Sequence, residues 1–127
     1  MTSDNVAILV DDMFFASKIN STATEHGRKI ERVKTREQLE ALAANPPALV
    51  IVDLNSDRQD PIDAIRFLKS DPDLRSVPIT AFVSHVQTDL IRAAQAAGCD
   101  YVLARSAFTQ MLGEILEGNF EAFRSRS

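Results

Sequence analysis

Residues 48 to 53 read Ala48-Leu49-Val50-Ile51-Val52-Asp53, five apolar side chains in a row closing on a carboxylate. A strand with one wet face alternates apolar and polar residues, so an unbroken run of this length suits a strand covered on both faces, as in a parallel sheet. Val6-Ala7-Ile8-Leu9-Val10 has the same form and stops at Asp11 and Asp12. Val77 to Val83 gives a third apolar run and Tyr101 to Ala104 a short one. Lys29-Ile30-Glu31-Arg32-Val33 alternates instead, as an edge strand does when its charges need solvent.

Helical patterns lie between these runs. Asp12 to His26 carries Phe15, Ile19 and Ala23 on one stripe and meets Gly27 at its end. Thr35-Arg36-Glu37-Gln38 is a capping-box pattern opening a helix through Leu39 and Leu42, stopped by Asn45-Pro46-Pro47. Asp60-Pro61 reads as an N-cap followed by proline at the first helical position, with Ile62, Ile65 and Leu68 facing inward and Asp71-Pro72 at the end. Val86 to Ala97 is an Ala-rich helix ended by Gly98, and Ala107 to Glu117 a last helix on Phe108, Leu112 and Ile115. Five strands alternating with five helices through short connections predict a doubly wound α/β domain with a parallel sheet. The tail Asn119 to Ser127 ends in Arg-Ser-Arg-Ser and is expected to be loose; its Phe120 and Phe123 either dock on the domain or serve as a partner anchor.

Composition narrows the function classes. The 127 residues are 45% hydrophobic and 25% charged, which suits one folded domain. A net charge of −4 without any basic block argues against nucleic acid as a partner. The single cysteine, Cys99, excludes an intramolecular disulfide, fits a reducing cytoplasm and is expected to be a small buried hydrophobe. No apolar run approaches a membrane span, so no membrane association is expected.

In open parallel sheets the site lies outside the carboxyl ends of the strands. The residues there are Asp11 and Asp12, Asp53, Val83-Ser84, and Arg105-Ser106. Three carboxylates and one fixed cation therefore converge. Like charges at close range call for a compensating cation, and an oxygen-ligated divalent ion, Mg2+ first, is the natural one. Taken singly, each acid also suits a plain structural role, Asp11 or Asp12 as a helix cap and Asp53 as a turn residue. His26 suits the end of the first helix, where an imidazolium favours the dipole.

The stretches Ile8-Leu9-Val10-Asp11-Asp12, Val50-Ile51-Val52-Asp53-Leu54-Asn55, Val77-Pro78-Ile79 and Ala97-Gly98-Cys99-Asp100 stand in an order and spacing that resembles the receiver domain of bacterial response regulators, over about residues 5 to 118. The resemblance implies a flavodoxin-like fold, a five-stranded parallel sheet of order 2-1-3-4-5 with five helices, with 119–127 as a tail. It implies that Asp53 accepts a phosphoryl group, that Asp11, Asp12 and Asp53 hold Mg2+, and that Asn55 offers its backbone carbonyl to the metal. The implied partners are a sensor histidine kinase or phosphotransfer protein and a downstream protein, with self-association into a homodimer left open. The setting is cytoplasmic two-component signalling, and the chain a signalling module rather than an enzyme with a diffusing substrate. With 127 residues, a receiver without an output domain of its own is expected.

The pattern is broken at the positions that receivers use for switching. Counting without gaps from Ala97-Gly98 puts Val83 where a Thr or Ser is usual, and Val cannot hydrogen-bond a phosphoryl group. The usual Lys falls on Arg105, the following Pro on Ser106, and the aromatic switch position of the last strand on Val102, with Tyr101 one residue away. Arg105 keeps the charge with a different reach and geometry. Asp57, Asp60 and Asp63 add charge beyond the acceptor, His85 lies on the loop after the fourth strand, and Phe14 stands beside the acidic pair. These departures open an alternative: an atypical receiver acting as a phosphorylation-independent protein-protein interaction module, with Arg105 as a built-in cation. A third class, a metal-dependent phosphotransfer or hydrolase enzyme, would need a further acid or base, or a substrate cap.

Overall fold

The computed structural model describes residues 4 to 84 and 87 to 120. Five parallel strands, β1 (Val6–Leu9), β2 (Ile30–Arg32), β3 (Leu49–Asp53), β4 (Ile79–Val83) and β5 (Tyr101–Ala104), form one sheet in the order β2-β1-β3-β4-β5. The helices are α1 (Met13–Glu25), α2 (Arg36–Ala41, continued by a 3-10 turn over Leu42–Ala44), α3 (Pro61–Ser70), α4 (Thr88–Ala96), α5 (Arg105–Gln110) and α6 (Leu112–Leu116). The doubly wound architecture and strand order expected from the sequence are those observed.

The apolar runs become the central strands because helices cover both faces. Ala7, Leu9, Val50, Val52, Ile79, Ala81 and Val83 pack with Leu39 of α2, Ile65 and Leu68 of α3 and Ala94 of α4. Val6, Ile8, Leu49, Ile51 and Phe82 pack on the other side with Phe15 and Ile19 of α1, Phe108 of α5 and Ile115 of α6. Each central strand thus divides its side chains between two cores by the period-two alternation.

The helix signals act as the sequence indicates. Asp12 caps α1, its Oδ1 accepting from Phe14 N–H at 2.9 Å and Phe15 N–H at 3.1 Å. The Thr35 hydroxyl accepts from Gln38 N–H at 3.1 Å while Gln38 Oε1 accepts from Thr35 N–H at 3.2 Å, closing the capping box. Asp60 caps α3 ahead of Pro61.

Two expectations need correction. The last helix is two helices, α5 and α6, separated at Met111 (φ −104°, ψ 11°), and α5 begins at Arg105 directly from the end of β5. Among the described residues there are accordingly six α-helices, one more than the sequence reading counts. The fourth strand begins at Ile79 rather than Val77, and α4 is seen from Thr88, since His85 and Val86 lie outside the described residues. His26 pairs with a specific partner, its Nδ1 2.8 Å from Glu117 Oε1, which ties the end of α1 to the end of α6. The Phe120 ring stacks on Tyr101 at 5.0 Å, so the start of the tail docks on the edge strand; Phe123 lies outside the described residues. Among the described residues, no helix is long and apolar enough to cross a membrane.

Candidate functional site

The parallel register brings Asp11, Asp12, Asp53 and Arg105 to the carboxyl edge of the sheet, at the ends of β1, β3 and β5. Asp53 is 8% exposed, the one buried carboxylate among the described residues. Its Oδ1 accepts from Asn55 N–H at 2.9 Å. Burial pushes its pKa above the ordinary 3.8, against the opposing pull of the Asn55 N–H and of Arg105, and the negative charges of Asp11 and Asp12 push the same way as burial.

The other two acids are engaged by the protein itself. Asp11 turns to the loop after β3: its Oδ2 accepts from the Ser56 hydroxyl at 2.6 Å and from the N–H groups of Asp57 and Arg58 at 3.2 Å each. Arg58 Nε stands 3.7 Å from Asp11 Oδ1. Asp12 spends Oδ1 on the α1 cap and meets Arg105 with Oδ2 at 3.3 Å. The Phe15 N–H holds the Asp12 carboxyl below its usual range, with Arg105 adding to the effect.

Arg105 is held from below as well. Its guanidinium carbon lies 4.2 Å from the centroid of Phe15, which packs on Phe82 at 4.9 Å and on Phe108 at 5.8 Å. A cation over an aromatic face in this geometry is attracted by the ring quadrupole. Arg105 therefore bridges the start of α1 and the start of α5, and its hydrogen bond goes to Asp12 rather than Asp53.

Val83 is 3% exposed and belongs to the core cluster of Leu9, Val52 and Leu54. The register that pairs Asp53 with Phe82 turns the next side chain, Val83, to the opposite face. Ser84 is exposed, and its backbone N–H donates to Asn55 Oδ1 at 2.8 Å. Val102 packs at the margin of the same core as Val83, and Tyr101 on the other side of β5. Cys99 is buried with its thiol pushed up to about 11, chiefly by burial. Phe14 is 91% exposed at the rim, beside Met13 at 67%. Of the acids beyond Asp53, Asp60 caps α3, and Asp63, in the first turn of α3, pairs with Arg36 at 2.7 Å. His85 lies outside the described residues.

The donors at this edge have the right chemistry for a hard divalent cation, and in this structure they are engaged by protein partners instead. Among the described residues, no group of three His, Cys, Asp or Glu side chains is disposed to hold a metal ion. Asp11 is engaged by the loop through Oδ2, and Asp12 by its cap and Arg105. Sequence reading missed Ser56, Arg58 and Phe15, and also the Asn55 side chain, whose Nδ2 donates to Gln87 Oε1 at 2.6 Å. The polar loop after Asp53 was the available signal for the first two; Phe15 was marked only as part of the apolar stripe of α1, and nothing in the pattern marked Gln87.

The fold and this edge define the class: the chain has the fold of response regulator receiver domains, one carboxylate being buried where β3 ends. Solved structures similar to it include the Vibrio cholerae chemotaxis protein CheY4, at 15% identity over 92% of this chain and 98% of that one, with a TM-score of 0.77. The phosphorylated cyanobacterial phytochrome response regulator RcpA is similar at 20% identity over 97% and 95%, TM-score 0.74. The Mn2+-bound response regulator Rcp1 is similar at 15% identity over 87% and 90%, TM-score 0.73. No family model matches the sequence, and no curated protein matches it.

Proposed function

We propose that this chain is a receiver module of two-component phosphorelay signalling that accepts a phosphoryl group on Asp53. The observation that supports it best is the state of Asp53, a buried carboxylate at the end of β3 with its pKa raised, while the neighbouring acids are engaged by other groups. A carboxylate of raised pKa is a better nucleophile than an ordinary surface aspartate. In the transfer, an Asp53 oxygen attacks the phosphorus of a phosphohistidine. The P–N bond breaks, its electron pair returns to the imidazole nitrogen, which takes a proton, and an acyl phosphate remains on Asp53. Arg105 offsets the charge of the incoming group by leaving Asp12 for it, the planar guanidinium being suited to phosphoryl oxygens. The donor in this reading is a histidine kinase or phosphotransfer protein and the receiver of the signal a downstream protein.

Magnesium enters this reading only as a competitor. To be held by Asp11, Asp12, Asp53 and the Asn55 carbonyl, it would have to displace Arg105 from Asp12 and the Ser56–Arg58 loop from Asp11, and no step is assigned to it. Incubation with acetyl phosphate, with and without Mg2+, followed by intact mass tests the proposal. A gain of one phosphoryl group that is lost in Asp53→Asn is expected. No gain under either condition refutes it and favours the second reading, a phosphorylation-independent interaction module, which the Arg105–Asp12 pair and the buried Val83 support.

A further inference from the structure

The side chain at Asn55 makes a connection that Val83 cannot. Its backbone N–H donates to Asp53 Oδ1 at 2.9 Å, its Oδ1 accepts from Ser84 N–H at 2.8 Å, and its Nδ2 donates to Gln87 Oε1 at 2.6 Å. Ser84 follows the last residue of β4, and Gln87 is the N-cap residue of α4, where its side chain makes no capping bond. One residue thus touches the buried acid and both ends of the β4–α4 connection. Among the described residues, the Asn55 N–H is the only hydrogen-bond donor to the Asp53 carboxylate.

A carboxamide carries its acceptor and donors in one rigid plane. It cannot follow a displaced backbone at residue 55 without loosening either Ser84 or Gln87. A substituent placed on an Asp53 oxygen, or the loss of its charge, changes what the Asn55 N–H faces, and the change passes through Asn55 to the start of α4. The route through a strand-end hydroxyl is closed here, since Val83 has none and faces the core.

From this geometry we infer that Asn55 is a positioning residue that couples the state of the Asp53 side chain to the first turn of α4. The inference rests on the proposed function only in taking phosphorylation as the natural input; the coupling itself is testable without it. Backbone amide shifts are recorded for Asp53→Asn in the wild-type and in the Asn55→Ala backgrounds. Asp53→Asn is expected to shift Leu54, Ser84 and the α4 amides of Thr88 to Leu90 in the first background. In the second, the Leu54 response persists and the Ser84 and α4 responses are lost. Should Asn55→Ala fail to fold, the exposed Gln87 decides. Gln87→Ala is expected to lose the α4 response and keep that of Ser84, whereas Gln87→Glu, which retains an acceptor for Nδ2, restores it. An α4 response that survives Asn55→Ala, or survives Gln87→Ala, overturns the inference. The mass assay with acetyl phosphate is read separately: its failure removes phosphorylation as the input, while the Asp53→Asn comparison still decides the coupling.

Discussion

Replacing Val83 by threonine introduces a hydroxyl at a buried position, and the structure predicts that the change destabilises the domain. Val83 is 3% exposed and packed among Leu9, Val52 and Leu54, on the face of the sheet opposite to Phe82. Thr nearly matches Val in volume, so the cost comes from a buried hydroxyl without a partner, about 1 to 3 kcal/mol. With an unfolding entropy of about 2.1 cal/mol/K per residue, a chain of 127 residues has about 0.27 kcal/mol/K in total. The expected fall in Tm is therefore roughly 4 to 11 °C. Thermal and urea denaturation of Val83→Thr at pH 7 measures it, and an unchanged urea slope confirms that the unfolding compared is the same. A Tm equal to or above wild type would refute the reasoning, because it would mean that the hydroxyl finds a partner at the edge of the sheet and that Val83 does not face the core.

The same physics runs in reverse at Thr80, three residues before Val83. Thr80 is fully buried and its hydroxyl has no hydrogen-bond partner, so Thr80→Val is expected to raise stability by about 1 kcal/mol in urea denaturation. Asp53→Asn is expected to raise the Tm at pH 7. With the folded pKa above 3.8 through burial, ionisation opposes folding as pH rises through that window, so the gain over wild type vanishes below about pH 3.8 and is full above the folded pKa, as Tm measured from pH 3 to 8 checks. Arg105→Ala frees Asp12 and removes a cation from the acidic edge; Mn2+ affinity, read by paramagnetic relaxation of solvent water, is expected to rise about threefold or more.

The fold was legible because its signals are local. Unbroken apolar runs such as Val50 to Val52 specify doubly covered strands, and Asp12, Thr35 and Asp60 mark helix starts through bonds to their own next turns. The break at Met111 was not legible, since Phe108, Leu112 and Ile115 continue one apolar stripe across it and periodicity registers the stripe, not the backbone angle. The candidate site divides in the same way. Strand ends fixed the positions of Asp11, Asp12, Asp53 and Arg105, because the register of buried strands is set by their apolar faces. The bonds these residues make depend on rotamers and on the loop over residues 54 to 60, and sequence spacing does not encode them; the preference of Arg105 for Asp12 over Asp53 and the hold of Ser56 on Asp11 emerge only with side chains in place.

Those bonds sort the three acids into different roles. Asp12, pulled down first by the Phe15 N–H and then by Arg105, is a fixed anion that orients a cation and starts α1. Asp11 anchors the loop through three donors. Asp53 is left with one backbone N–H and a desolvated position, and its pKa moves the opposite way from that of Asp12. In the proposed reading, this separation divides a structural charge from a reactive one. The cost is a strained ionised state at Asp53, and a group that neutralises or replaces that charge relieves it. A phosphoryl group does not neutralise charge by itself, so its acceptance on Asp53 requires a compensating cation to follow. With Asp11 committed to the loop, the cation that the proposed reading assigns to that requirement is Arg105, whose guanidinium lies over the Phe15 ring and would exchange Asp12 for the phosphoryl oxygens.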